Sequence, residues 1–139
     1  AKDELIEYAS YVGNYYGTPK SYVMDKLASG ENVILEIEMQ GALKVKEKFP
    51  DCVTIFLTPE TYAELDRRLH KRGTETEEVI QNRLNRAKEE ISFMDKYDYV
   101  VINGDLDTCV NNVNMIIQAE AFKVVNSASI IENIKNTFK

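Results

Sequence analysis

Hydrophobic and polar positions alternate along this chain at two periods. Short apolar runs at Val33–Ile37, Val53–Leu57 and Tyr99–Ile102 predict strands. Between them, apolar residues recur every three or four positions and predict helices: 20–29 closed by Gly30, 40–48, from Pro59 to about Arg72, from Thr74 or Thr76 to about Met94, and Leu106 to Phe122. Residues 2–8 read as the end of a helix and Tyr8–Val12 as a short strand leading into a turn at Gly13. Strands alternating with helices predict βαβ units and a parallel sheet, so the expected fold class is α/β.

Composition narrows the reading. With 139 residues, 44% hydrophobic and 29% charged, the chain is one globular domain or a large part of one. A net charge of −6 argues against nucleic acid or a membrane surface as partner, since both attract a basic face. Cys52 and Cys109 sit in apolar runs and read as reduced core thiols; no signal-peptide pattern opens the sequence, and the expected location is cytoplasmic. His70 is the single histidine and reads as a solvated helix residue. No metal-ligand cluster stands out, and the lysines of 44–48 read as a solvated helix face.

Three groups of residues carry candidate chemistry. Gly13-Asn14-Tyr15-Tyr16-Gly17-Thr18 holds two phenols and a hydroxyl between two glycines. It is either a tight turn with buried rings or a set of donors for phosphate oxygens. Arg68 and Arg72 interrupt the apolar stripe of one helix and Arg83 edges that of the next, on either side of a polar Gly73-Thr74-Glu75-Thr76-Glu77-Glu78 connection. Each could pair with a carboxylate, whereas three around one hinge-like connection suit a shared phosphate. Glu36 and Glu38 fall in an otherwise apolar strand, where a carboxylate can accept from a base, help hold hydrated Mg²⁺, pair with an arginine, or face solvent at a sheet edge.

Taken in order and at their intervals, these segments resemble guanylate kinase. The resemblance is carried by Gly13–Thr18, by Leu35-Glu36-Ile37-Glu38-Met39-Gln40-Gly41, and by Leu65 to Glu78. Tyr97–Asn103 and Asp105-Leu106-Asp107 continue it, so that it covers roughly 3–121. It implies a P-loop α/β core with an inserted GMP-binding domain and a mobile lid, and transfer of the γ-phosphoryl group of ATP to GMP with Mg²⁺. It implies Glu7 and Glu38 as acceptors for guanine, with Glu36 beside them, and Tyr16 and Thr18 as ligands of the GMP phosphate. Arg68, Arg72 and Arg83 become the phosphate clamp, and Asn103 lies near the adenine of ATP. By the same resemblance 1–32 belong to the GMP-binding domain, 33–121 to the core with a lid at about 68–84, and 122–139 form a tail.

This chain departs from the family where Leu-Asp-Ile-Asp is usual, having Leu35-Glu36-Ile37-Glu38, and where Asn-Asp-Asp is usual, having Asn103-Gly104-Asp105. None of its six glycines is followed by Lys-Ser/Thr, the end of a Walker A loop. The expectation is a sequence that begins inside the GMP-binding domain, is nearly inactive alone, and has a sheet gap to be filled by the absent segment, by a second copy or by its own tail. Ile130, Ile131, Ile134 and Phe138 of that tail fall on one helical face. The alternative function is a non-catalytic scaffold domain of the same family binding a phosphopeptide.

Overall fold

The computed structural model describes residues 5–11 and 14–139, with the side chains of 9–15 left aside. The chain divides into two compact units, one ending at Thr54 and the other running Ile55–Lys139.

In the first unit, β1 (Leu5–Tyr11) and β2 (Asn14–Pro19) form an antiparallel pair, followed by α1 (Lys20–Ala28) and α2 (Met39–Lys48). The pairing sets Glu7 opposite Thr18 and Tyr8 opposite Gly17. Two expectations change here. Residues 5–8 are strand and not helix end, and 14–18 are strand and not turn, because each supplies the other's ladder partner. The Gly13 turn itself lies outside the described residues. Among the described residues Ile6, Val23 and Val45 form the buried apolar set of this unit, one residue from each of β1, α1 and α2. Gly30, at φ 82°, ends α1 in the left-handed region.

α2 is fastened to β1 by its lysines. Lys44 Nζ donates to the Tyr8 carbonyl at 3.0 Å and Lys48 Nζ to the Ile6 carbonyl at 3.3 Å. Lysines one turn apart on a helix are spaced by about 6 Å, close to the roughly 6.6 Å between alternate carbonyls of a strand. Lys46 Nζ reaches the Cys52 carbonyl at 2.7 Å. The lysines expected to be a solvated face thus each hold a backbone carbonyl, two on β1 and one in the bend at Cys52.

The run Val33–Ile37 forms no strand: 31–38 are irregular. The alternation survives, with Ile34 and Glu36 exposed and Val33, Leu35 and Ile37 half-buried. What it lacks is a ladder partner among the described residues, and a strand exists only as a pair.

In the second unit β3 (Ile55–Thr58) and β4 (Tyr99–Ile102) are parallel, in register from Ile55 opposite Tyr99 to Thr58 opposite Ile102. Between them run α3 (Tyr62–Arg72) and α4 (Glu77–Ile91); α5 (Leu106–Ala121) and α6 (Ala128–Thr137) follow. Leu69, Ile80 and Leu84 pack together with Leu65 between α3 and α4. α5 lies against β4, with Cys109 and Val101 buried and the Tyr99 hydroxyl bonded to Glu120. The tail is helical as expected, with Ile131 half-buried and Ile130, Ile134 and Phe138 exposed. No helix among the described residues is long and apolar enough to cross a membrane.

Candidate functional site

Two groups of polar side chains stand out, one in each unit. In the first, Glu7 is only 3% exposed although it is an acid on a two-stranded ribbon. Thr18, its cross-strand partner, donates Oγ1–H to Glu7 Oε1 at 2.7 Å. The other oxygen, Oε2, lies against Gly41 in the first turn of α2, where free N–H groups and the helix dipole favour an anion. Glu38 is the N-cap residue of that helix, extended at φ −65°, ψ 152°, and its side chain does not cap it. Two of the expected base acceptors, Glu7 and Glu38, therefore meet at one helix N-terminus. Tyr16, two residues before Thr18, shares its face of β2 and is exposed. Glu36 stays outside this group, exposed in the irregular stretch.

The second group surrounds the α3–α4 connection. Thr61 caps α3 by accepting from the Glu64 amide, and Thr76 caps α4 by accepting from the Val79 amide. Gly73, at φ 62°, closes α3 in the left-handed conformation that permits the reversal. Arg68 donates Nε–H to Glu64 Oε1 at 2.6 Å and Nη1–H to the Asn103 carbonyl at 2.8 Å. The Asn103 amide in turn bonds the Thr58 carbonyl at 2.7 Å, continuing the ladder past β4. Arg68 and Asn103 thus come together at the carboxyl ends of two parallel strands, where α/β proteins take ligands.

Arg67 also forks onto Glu64, through Nε and Nη2 at 2.8 Å each, and Arg67 and then Arg68 hold the Glu64 carboxyl down at about 2. Arg72, one turn beyond Arg68, is exposed and makes no hydrogen bond or ion pair among the described residues. Arg83 Nη2 pairs with Glu75 Oε1 at 2.6 Å, while Arg83 Nε and Glu75 Oε2 are buried without hydrogen-bond partners among the described residues. His70 ties the connection: Nδ1 lies 3.0 Å from the Asp66 carbonyl and Nε2 lies 2.9 Å from Glu77 Oε2. The Asp66 carbonyl, then Glu77, raises its pKa above the ordinary 6.5. It is exposed, as expected, yet bonded on both sides.

Residues 1–120 match the profile of the guanylate kinase family. This chain belongs to the guanylate kinase family. It is 57% identical over 122 residues to the guanylate kinase of Halalkalibacterium halodurans, covering 88% of this chain and 60% of that protein. To the guanylate kinase of Streptococcus pyogenes it is 49% identical over 140 residues, covering 98% of this chain and 66% of that one. The crystal structure of guanylate kinase from Anaplasma phagocytophilum superposes with a TM-score of 0.81 at 32% identity, covering 99% of this chain and 66% of that one. The chain therefore spans about three-fifths to two-thirds of the length of the guanylate kinases it matches.

Gly41, Glu64, Arg67 and Glu75 belong to the two groups although the sequence reading gave none of them a role. Glu64 and Arg68 are four apart on one helix, a spacing that offers the pair in advance. Gly41 and Glu7 are 34 positions apart, and only the fold brings them together.

Proposed function

We propose that the intact protein transfers the γ-phosphoryl group of ATP to GMP, giving ADP and GDP, and that these residues supply the recognition of guanine and part of the phosphate clamp. The observation that carries this reading is the buried Glu7 carboxylate, held by Thr18 beside a helix N-terminus whose N-cap is Glu38. A carboxylate only accepts, and guanine presents N1–H and N2–H₂ as neighbouring donors, a pattern adenine does not reproduce. Glu7 and Glu38 then select the base. Tyr16 and Thr18 serve the nucleotide from β2; the single Thr18 proton is on Glu7, so a phosphate oxygen would have to compete for it.

Arg72 supplies an open guanidinium, and Arg68 and Arg83 supply forks already oriented by Glu64 and Glu75. Phosphoryl transfer depends chiefly on positioning and neutralising charge, which suits this set of cations. Asn103 is assigned to the adenine side. Residues 1–32 are assigned to the GMP-binding domain, 33–121 to the core with the lid at about 68–84, and 122–139 to a tail, in a cytoplasmic enzyme whose two cysteines form no disulfide. Among the described residues no three His, Cys, Asp or Glu side chains are grouped to hold a metal. In this reading Mg²⁺ arrives as the companion of ATP.

No glycine here precedes Lys-Ser/Thr, so these 139 residues alone lack the loop that cradles the transferred phosphates. A coupled assay for ADP should give no turnover above background with the purified 139-residue chain. Titrating GMP, with AMP as control, into the ¹⁵N-labelled chain should give saturable, GMP-selective amide shifts around Glu7, Thr18 and Glu38. A folded spectrum with no GMP preference would remove the base-recognition reading.

A further inference from the structure

Gly41 sits inside the first turn of α2, where alanine would be the better helix former. Its φ is not in the left-handed region, so the backbone does not demand glycine. What demands it is a neighbour. A Cβ on Gly41 would stand 2.6 Å from Glu7 Oε2, 3.3 Å from Cδ and 3.5 Å from Cγ. The end of a flexible side chain usually steps aside, but this one is buried, and its other oxygen is fastened to Thr18. Moving the carboxylate would break that bond and leave a buried acid unsatisfied.

We infer that Gly41 is a positioning residue that sets base specificity: by carrying no side chain, it admits the Glu7 carboxylate to the first turn of α2 and fixes, with Thr18, the direction of its acceptor lone pairs. The specificity half of this inference rests on Glu7 as the guanine acceptor; the steric half does not. Two neighbouring donors on a purine edge can be met only by a carboxylate held in one place. A side chain at 41 would tilt it and cost GMP its advantage over AMP.

The steric half is read by melting four forms of the chain: unaltered, Gly41→Ala, Glu7→Ala and the double variant. Gly41→Ala should lower the melting temperature when Glu7 is present and raise it when Glu7 is alanine, where the helix gains a better former and nothing obstructs the methyl. A rise in both backgrounds would overturn the inference. So would a loss of the same size in both. If Gly41→Ala alone does not fold, a folded double variant supports the inference and an unfolded one overturns it.

Specificity is read by GMP and AMP titrations. Folded Gly41→Ala should lose the GMP preference as Glu7→Gln does, and retention of that preference overturns the specificity half. If the unaltered chain prefers neither nucleotide, the guanine reading fails and takes the specificity half with it, while the melting cycle still decides the contact.

Discussion

Glu64 takes two guanidiniums, and its carboxyl is held near 2 for that reason, Arg67 first and Arg68 second. A depressed carboxylate contributes stability that is complete above its unfolded pKa of about 4.5 and disappears as pH falls toward 2. Glu64→Gln should therefore flatten the acid limb of the melting curve between pH 4.5 and 2, followed by circular dichroism. Arg72 is the opposite case. With no partner among the described residues, Arg72→Ala should leave the melting temperature unchanged. It should weaken nucleotide binding about tenfold to a hundredfold by calorimetry, the scale of one charged hydrogen bond. Position along a helix made Arg68 and Arg72 visible in the sequence as misplaced charges. It could not say that Arg68 would spend its donors on Glu64 and the Asn103 carbonyl, because the second contact crosses 35 residues.

At the scale of elements, the cap that starts α4 was legible, whereas the Thr61 cap of α3 was not, the helix being expected from Pro59. Thr76 was one of two threonines expected to start α4, and its hydroxyl does accept from Val79. Thr76→Ala should cost about 1 kcal/mol in urea unfolding. The α3–α4 connection also carries a titrating tie. Both ring nitrogens of His70 face groups that only accept, the Asp66 carbonyl and the Glu77 carboxylate, and both bonds form together only in the doubly protonated ring. The Asp66 carboxylate also lies 3.0 Å from Nδ1, and Gln81 steadies Glu77. A raised histidine pKa gives stability that is full below about 6.5 and is lost as pH rises through the raised value. Melting temperature should fall across that window in the unaltered chain and stay level there in His70→Gln. Strands were read less well than helices. Helical periodicity is complete within one segment, whereas 14–18 and 33–37 depend on whether a partner strand lies beside them, and among the described residues one has it and the other does not.

Across the whole molecule, apolar burial is thin and concentrated. Leu84, at 1% exposed, is the most enclosed large side chain among the described residues. Leu84→Ala should cost about 2–5 kcal/mol in urea unfolding monitored in the second unit. On the sheet, by contrast, Leu57, Val100 and Ile102 are each more than half exposed, and an open groove between β4 and α5 is lined by Val100, Ile102, Met115 and Ile116 among others. The α/β class followed from the alternation of runs, but this exposure did not, since a run of valines and isoleucines reads the same whether or not both faces are covered.

The two cysteines divide between the units, Cys52 half-buried in the first and Cys109 buried in the second, and neither is in a disulfide. Each therefore acts as a clock for its own surroundings. A thiol reagent reaches a shielded sulfur only when the structure around it opens, so under fast reclosing its rate reports a local opening free energy. One sample, one reagent and a mass spectrum resolved by peptide would time both units separately. Cys52 should be modified first. The lag before Cys109 follows should shorten in Leu84→Ala if the α3–α4 core and the α5–β4 packing open as one cooperative body, and stay unchanged if they open apart.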